Sequence, residues 1–91
     1  MKSFLWDEAK DAWLRRIRDV GFEEVLFHIE SGDLLDILEH SNTARYPGQQ
    51  IFIVRIDDYV YMVPFEETDE AITLKTIIPS RKATREYLGE T

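Results

Sequence analysis

The sequence predicts an α+β domain of two N-terminal helices, an antiparallel sheet of about four strands and a short C-terminal helix. Three observations lead there. Apolar residues recur at helical spacing over the first third of the chain. From Leu34 onward, short runs rich in Ile, Val, Tyr and Phe alternate with turn signals. After Pro79-Ser80 the composition turns helical again. At 91 residues the chain forms a single domain, residues 1–91, with one modest core.

Each element has a local reason. Phe4-Leu5-Trp6 is apolar and precedes Asp7, an N-cap residue. From Asp7 to Arg18, Ala9, Trp13 and Ile17 follow helical spacing, with Ala12 and Leu14 beside them. Asp7, Glu8 and Asp11 lie early and Arg15, Arg16 and Arg18 late, which complements the helix dipole. Trp6 and Trp13, seven residues apart, are expected on one helical face in the core. Val20-Gly21 breaks the pattern. A second helix runs from Phe22 to Glu30, with Phe22, Val25, Leu26 and Ile29 on one face, and Ser31-Gly32 stops it.

Leu34 to Glu39 reads as the first strand, followed by a polar loop from His40 to Gly48 with Pro47-Gly48 as its turn. Gln50–Ile56 and Tyr59–Phe65 flank Asp57-Asp58, the pattern of a hairpin. Pro64 lacks an N–H, so it belongs at a strand end, a bulge or an edge. Glu66 to Glu70 is an acidic connection, and Ala71–Ile78 is the fourth strand. Pro79-Ser80 ends that strand, and Arg81–Leu88 closes the chain as a helix before Gly89.

Composition excludes several classes. No apolar run is long enough to span a membrane, and the first residues lack the apolar core of a signal peptide. There is no cysteine, hence no disulfide, thiolate metal site or cysteine nucleophile. The expected location is the cytoplasm, with no membrane partner. The net charge of −7 disfavours indiscriminate nucleic-acid binding. Its distribution says more. Residues 34–70 carry two Arg/Lys against eight Asp/Glu, whereas residues 71–91 carry four against two and form the only net-positive third.

That tail holds the candidate site. Lys75 projects from the last strand, and Arg81, Lys82 and Arg85 crowd the start of the last helix, with Tyr87 near its end. A guanidinium fork suits phosphate, and a helix N-terminus adds backbone donors. Solubilising charge on a terminal helix is the alternative, although cations at a helix N-terminus oppose the dipole at about 0.3–1 kcal/mol each. Elsewhere the signals are structural. His28 sits in an apolar helical stretch, and His28 and His40 match no metal-ligand spacing, so neither a metal nor a cofactor is expected. Asp57-Asp58 reads as a turn, and the chain has no glycine-rich phosphate loop and no nucleophile elbow.

Three segments in order, Trp6-Asp7-Glu8-Ala9-Lys10, Phe22-Glu23-Glu24 and Ile77-Ile78-Pro79-Ser80-Arg81-Lys82-Ala83-Thr84, resemble the BrnT family. Its members are small toxins of type II toxin–antitoxin pairs, related in fold to RelE-like ribonucleases. The resemblance implies a metal-independent endoribonuclease acting on mRNA, free or on the ribosome, and neutralised by a cognate antitoxin in a hetero-oligomer. In such an enzyme a ribose 2′-hydroxyl attacks the adjacent phosphodiester while the protein moves protons and stabilises charge. Arg81 matches the family's arginine after the last strand and becomes the transition-state phosphate contact. Lys75, Lys82 and Arg85 become supporting cations, while Tyr87 and His40 enter as proton-transfer candidates by residue type.

The acidic middle of the chain sets a second reading beside the first: a catalytically inactive relative that binds a neighbouring antitoxin-like protein. A third, a small-molecule-binding domain, has no convergent polar motif behind it.

Overall fold

A computed structural model describes residues 2–40 and 42–89 of the chain. In order these form β1 (Ser3–Leu5), α1 (Glu8–Arg18), α2 (Phe22–His28), β2 (Leu34–Glu39), β3 (Gln49–Ile56), β4 (Tyr59–Glu67), β5 (Ala71–Leu74), β6 (Ile78–Pro79) and α3 (Arg81–Leu88). The α+β class holds, with three helices and, among the described residues, a mixed sheet of six strands in place of the expected antiparallel four. Its order is β1-β5-β4-β3-β2, and β6 also pairs with β4.

Two differences account for the extra strands. β1 pairs in parallel with β5, Ser3 opposite Ala71, which makes the sheet mixed. Three residues that find their partner at the far end of the chain leave no periodic signal. The expected single strand Ala71–Ile78 is split in two. Leu74 faces Phe65 and Ile78 faces Met62, so the pairing register slips by one residue in between. The slip occurs opposite Pro64, which has no N–H to extend the ladder; its carbonyl accepts from Lys75 N at 2.8 Å. The bulge that results turns Ile77 fully into the core.

α1 and α2 cover one sheet face. Leu14, Val20, Phe22 and Val25 pack there against Phe52, Val54, Val63, Phe65, Leu74 and Ile77. Phe52 and Phe65 stack with centroids 3.8 Å apart at the centre. α3 covers part of the opposite face, where Ala83 meets Ile51, Ile53 and Val60.

The apolar stripe expected inside α1 faces outward. Trp13 is 39% exposed and Ile17 49%, and Lys10 lies over the Trp13 ring at 4.8 Å. The buried face carries Leu14 and Asp11 instead. Asp11 turns inward because it caps the next helix, accepting from Phe22 N at 2.8 Å, and it also pairs with Arg15 at 3.3 Å. The two tryptophans do not share a helical face either. Trp6 precedes α1 and stacks on Phe22, with centroids 5.6 Å apart.

Asp7 caps α1 as expected, its carboxylate accepting from Ala9 N at 2.9 Å. α2 ends at His28 and unwinds through a wide turn, Ile29–Asp33, in which Gly32 takes φ 94° and His28 Nδ1 lies 2.8 Å from Asp33 Oδ2. Asp57 and Asp58 form the β3–β4 turn with φ of 52° and 64°, a left-handed pair that matches strand twist and that aspartate tolerates. No helix among the described residues is long and apolar enough to cross a membrane.

Candidate functional site

The site is built around the first turn of α3. The chain leaves β6 at Pro79, and Ser80 caps the helix by accepting from Ala83 N at 3.0 Å. Ser80 N donates to Val60 O at 3.0 Å, and Thr84 Oγ1 accepts from Val60 N at 2.9 Å while donating to Ser80 O at 2.7 Å. Both backbone groups of Val60 are thereby tied to α3, which fixes the helix against β4. With Ala83 and Thr84 turned inward, Arg81, Lys82, Arg85 and Glu86 are held outward.

Thr84→Val keeps the shape of that contact but leaves the buried Val60 N–H without an acceptor. It is expected to lower stability by about 1–3 kcal/mol. Urea unfolding, with amide exchange at Val60 as the local probe, checks this.

Between α3 and the sheet lies a crevice of about 180 Å³. Leu38, Ile53 and Met62 form its floor, and Ser80, Lys82, Ala83, Glu86 and Tyr87 its rim. Tyr87 OH donates to Asp36 Oδ2 at 2.8 Å, linking α3 to β2. That hydrogen bond, followed by burial and the negative charges of Asp36 and Glu86, raises the Tyr87 pKa above 10.0. Tyr87 is therefore a protonated donor at neutral pH, shifted away from the value a general base needs.

A phenol whose folded pKa is raised contributes stability that is fully present below pH 10.0 and is lost as pH rises through the raised value. Tyr61 is raised as well, chiefly by burial. Comparing alkaline unfolding of Tyr87→Phe with wild type isolates the Tyr87 share: the variant is expected to be less stable at neutral pH and to converge on wild type at high pH.

Arg81, Lys82 and Arg85 are exposed on α3 and make no ion pair with a described residue. Lys75 follows β5 on the sheet face that carries α3, with Nζ 3.7 Å from Glu66 Oε1. His40 belongs to the loop after β2. Its ring lies against Tyr46, with centroids 4.4 Å apart, and Nδ1 accepts from Asn42 N at 3.1 Å. These contacts hold His40 to the loop and not to α3. A second cleft of about 440 Å³ lies beside that loop, lined by Glu39, Thr43, Pro47, Gly48, Gln49 and Gln50.

No family model, curated protein or solved structure matches this chain.

Sequence reasoning missed Asp36, Ser80 and Thr84. Ser80 had a signal, since a serine between a proline and a helical stretch is a cap. Asp36 had none, because its partner lies 51 residues away in sequence. Among the described residues, no group of three or more His, Asp or Glu side chains is arranged to hold a metal ion.

Proposed function

We propose that the chain is the toxin component of a type II toxin–antitoxin pair, built on a BrnT-like, RelE-related scaffold, and that it cleaves mRNA at α3 in the cytoplasm without a metal. One observation carries the reading. In a chain with 18 acidic residues against 11 basic ones, three cations gather on one eight-residue helix without an ion pair among the described residues. One of them, Lys82, also lines a crevice with a polar rim. Phosphate is the ligand chemistry that such a group suits.

The chemistry is transesterification. The ribose 2′-oxygen bonds to the adjacent phosphorus, the bond to the 5′-oxygen breaks, and the products are a 2′,3′-cyclic phosphate and a 5′-hydroxyl. Arg81 faces the charge that builds on the non-bridging oxygens, with Lys82 and Arg85 adding to the field. Tyr87 OH, on the crevice rim, is the candidate to deliver a proton to the departing 5′-oxygen, a role for which it must leave Asp36. Glu86, on the crevice rim, is the one carboxylate of α3 that can take the 2′-hydroxyl proton, while His40 is held in its loop.

That last observation favours a second reading, in which the same scaffold is catalytically inactive and serves as a binding module for an antitoxin-like protein. Incubating the purified chain with mRNA and mapping 5′-hydroxyl ends separates the two. Cleavage that depends on Arg81 supports the toxin. Intact mRNA, together with a stable complex with the partner, supports the module.

A further inference from the structure

We propose that the free edge of β2 takes up an extended, basic segment of a partner protein as an added strand. The inference rests on the partner half of the functional reading and not on RNA cleavage.

β2 ends the sheet order, so one side of its backbone has no neighbouring strand among the described residues. Asp36, Ile37, Leu38 and Glu39 are all exposed, Ile37 at 47% and Leu38 at 38%. His40 N donates inward to Gln49 O, and antiparallel alternation therefore turns the N–H and C=O groups of Ile37 and Glu39 outward. The two apolar side chains point to opposite faces: Ile37 lies opposite Phe52 of the α1/α2 layer and Leu38 opposite Ile51 of the α3 layer. An added strand gains backbone hydrogen bonds along its length and one apolar contact on each side.

Charge selects the occupant. Asp36 and Glu39 flank the two apolar residues, within a third of the chain that carries eight acids against two bases. A second copy pairing antiparallel with Ile37 opposite Ile37 would bring the two Asp36 side chains into diagonal register on one face, and Leu38 opposite Leu38 would do the same to the two Glu39 side chains, which like charges oppose. A lysine- or arginine-bearing strand finds complementary charge at the same positions. Asp36 Oδ1 accepts from Ile37 N at 2.8 Å, so it plugs one outward donor, and its other oxygen is held by Tyr87. Such a plug guards an edge against indiscriminate pairing, and an incoming cation draws it aside. The opposite edge, β1, has three residues and offers no comparable length.

The test uses a synthetic acetylated peptide of alternating lysine and valine, titrated into the full chain while amide exchange is followed by NMR. The expected result is protection of the Ile37 and Glu39 amides, absent with a glutamate–valine peptide of equal length. Ile37→Pro removes an outward donor that the β2–β3 ladder does not use, and binding is expected to weaken by about tenfold or more. Glu39→Lys, which leaves the backbone untouched, is expected to weaken the lysine peptide and improve the glutamate one. No binding, equal binding of both peptides, protection elsewhere, or indifference to both substitutions overturns the proposal. A neighbouring protein that copurifies without protecting Ile37 and Glu39 also overturns the edge, while leaving the partner reading in place.

Discussion

Phe22→Ala is expected to lower the free energy of unfolding by about 3–5 kcal/mol. Phe22 is fully buried, opens α2, and stacks on Trp6 across the junction between β1 and α1. Its removal empties space that Leu14 and Val25, themselves fully buried, have no freedom to fill. A domain of this size has a total stability of about 5–15 kcal/mol, so the variant stands close to unfolding. Urea titration should show a lower midpoint with an unchanged slope. Trp13→Ala is the control. Its ring is 39% exposed under the Lys10 side chain, and the expected cost is well below that of Phe22→Ala. Equal costs would mean that α1 packs through its Trp13 face, contrary to the structure.

Arg81→Ala is expected to cut RNA cleavage by roughly 10²–10³-fold, the usual loss when one preorganised donor to a transition-state oxyanion is removed. Stability should hardly change, because Arg81 is exposed and makes no ion pair with a described residue. Removing a cation from the first turn of α3 even relieves an unfavourable dipole interaction of about 0.3–1 kcal/mol. Arg81→Lys separates charge from geometry, since an ammonium keeps the charge but not the planar fork. Activity between that of wild type and Arg81→Ala is expected. The readouts are turnover on a defined RNA and growth arrest on expression, with urea unfolding run alongside to exclude loss of fold.

The parts of the fold that were legible in the sequence are those with local causes. Asp7 as a cap, the Asp57-Asp58 turn, the hairpin around it and the Arg81–Leu88 helix all follow from short-range chemistry. The failures have long-range causes. β1 was invisible because its partner is β5, at the other end of the chain. α1 presents the face opposite to the one its apolar spacing suggests, because Asp11 is drawn inward by the unpaired N–H groups at the start of α2. A capping requirement on one helix thus sets the rotation of its neighbour. The site was half legible in the same way. Arg81, Lys82 and Arg85 share one short helix in sequence and in space, whereas Asp36 reaches Tyr87 only through folding, and His40 and Lys75 are engaged by Tyr46 and Glu66.

The central claim is that the cations of α3 meet RNA phosphate. Titrating the chain with a short single-stranded RNA, and following amide shifts by NMR at two salt concentrations, tests it directly. Shifts are expected to begin at Ser80 and centre on Arg81, Lys82 and Arg85, weaken as salt rises, and largely vanish in Arg81→Ala. Shifts confined to the β2–β3 loop, or binding that is indifferent to salt and to Arg81→Ala, would contradict it.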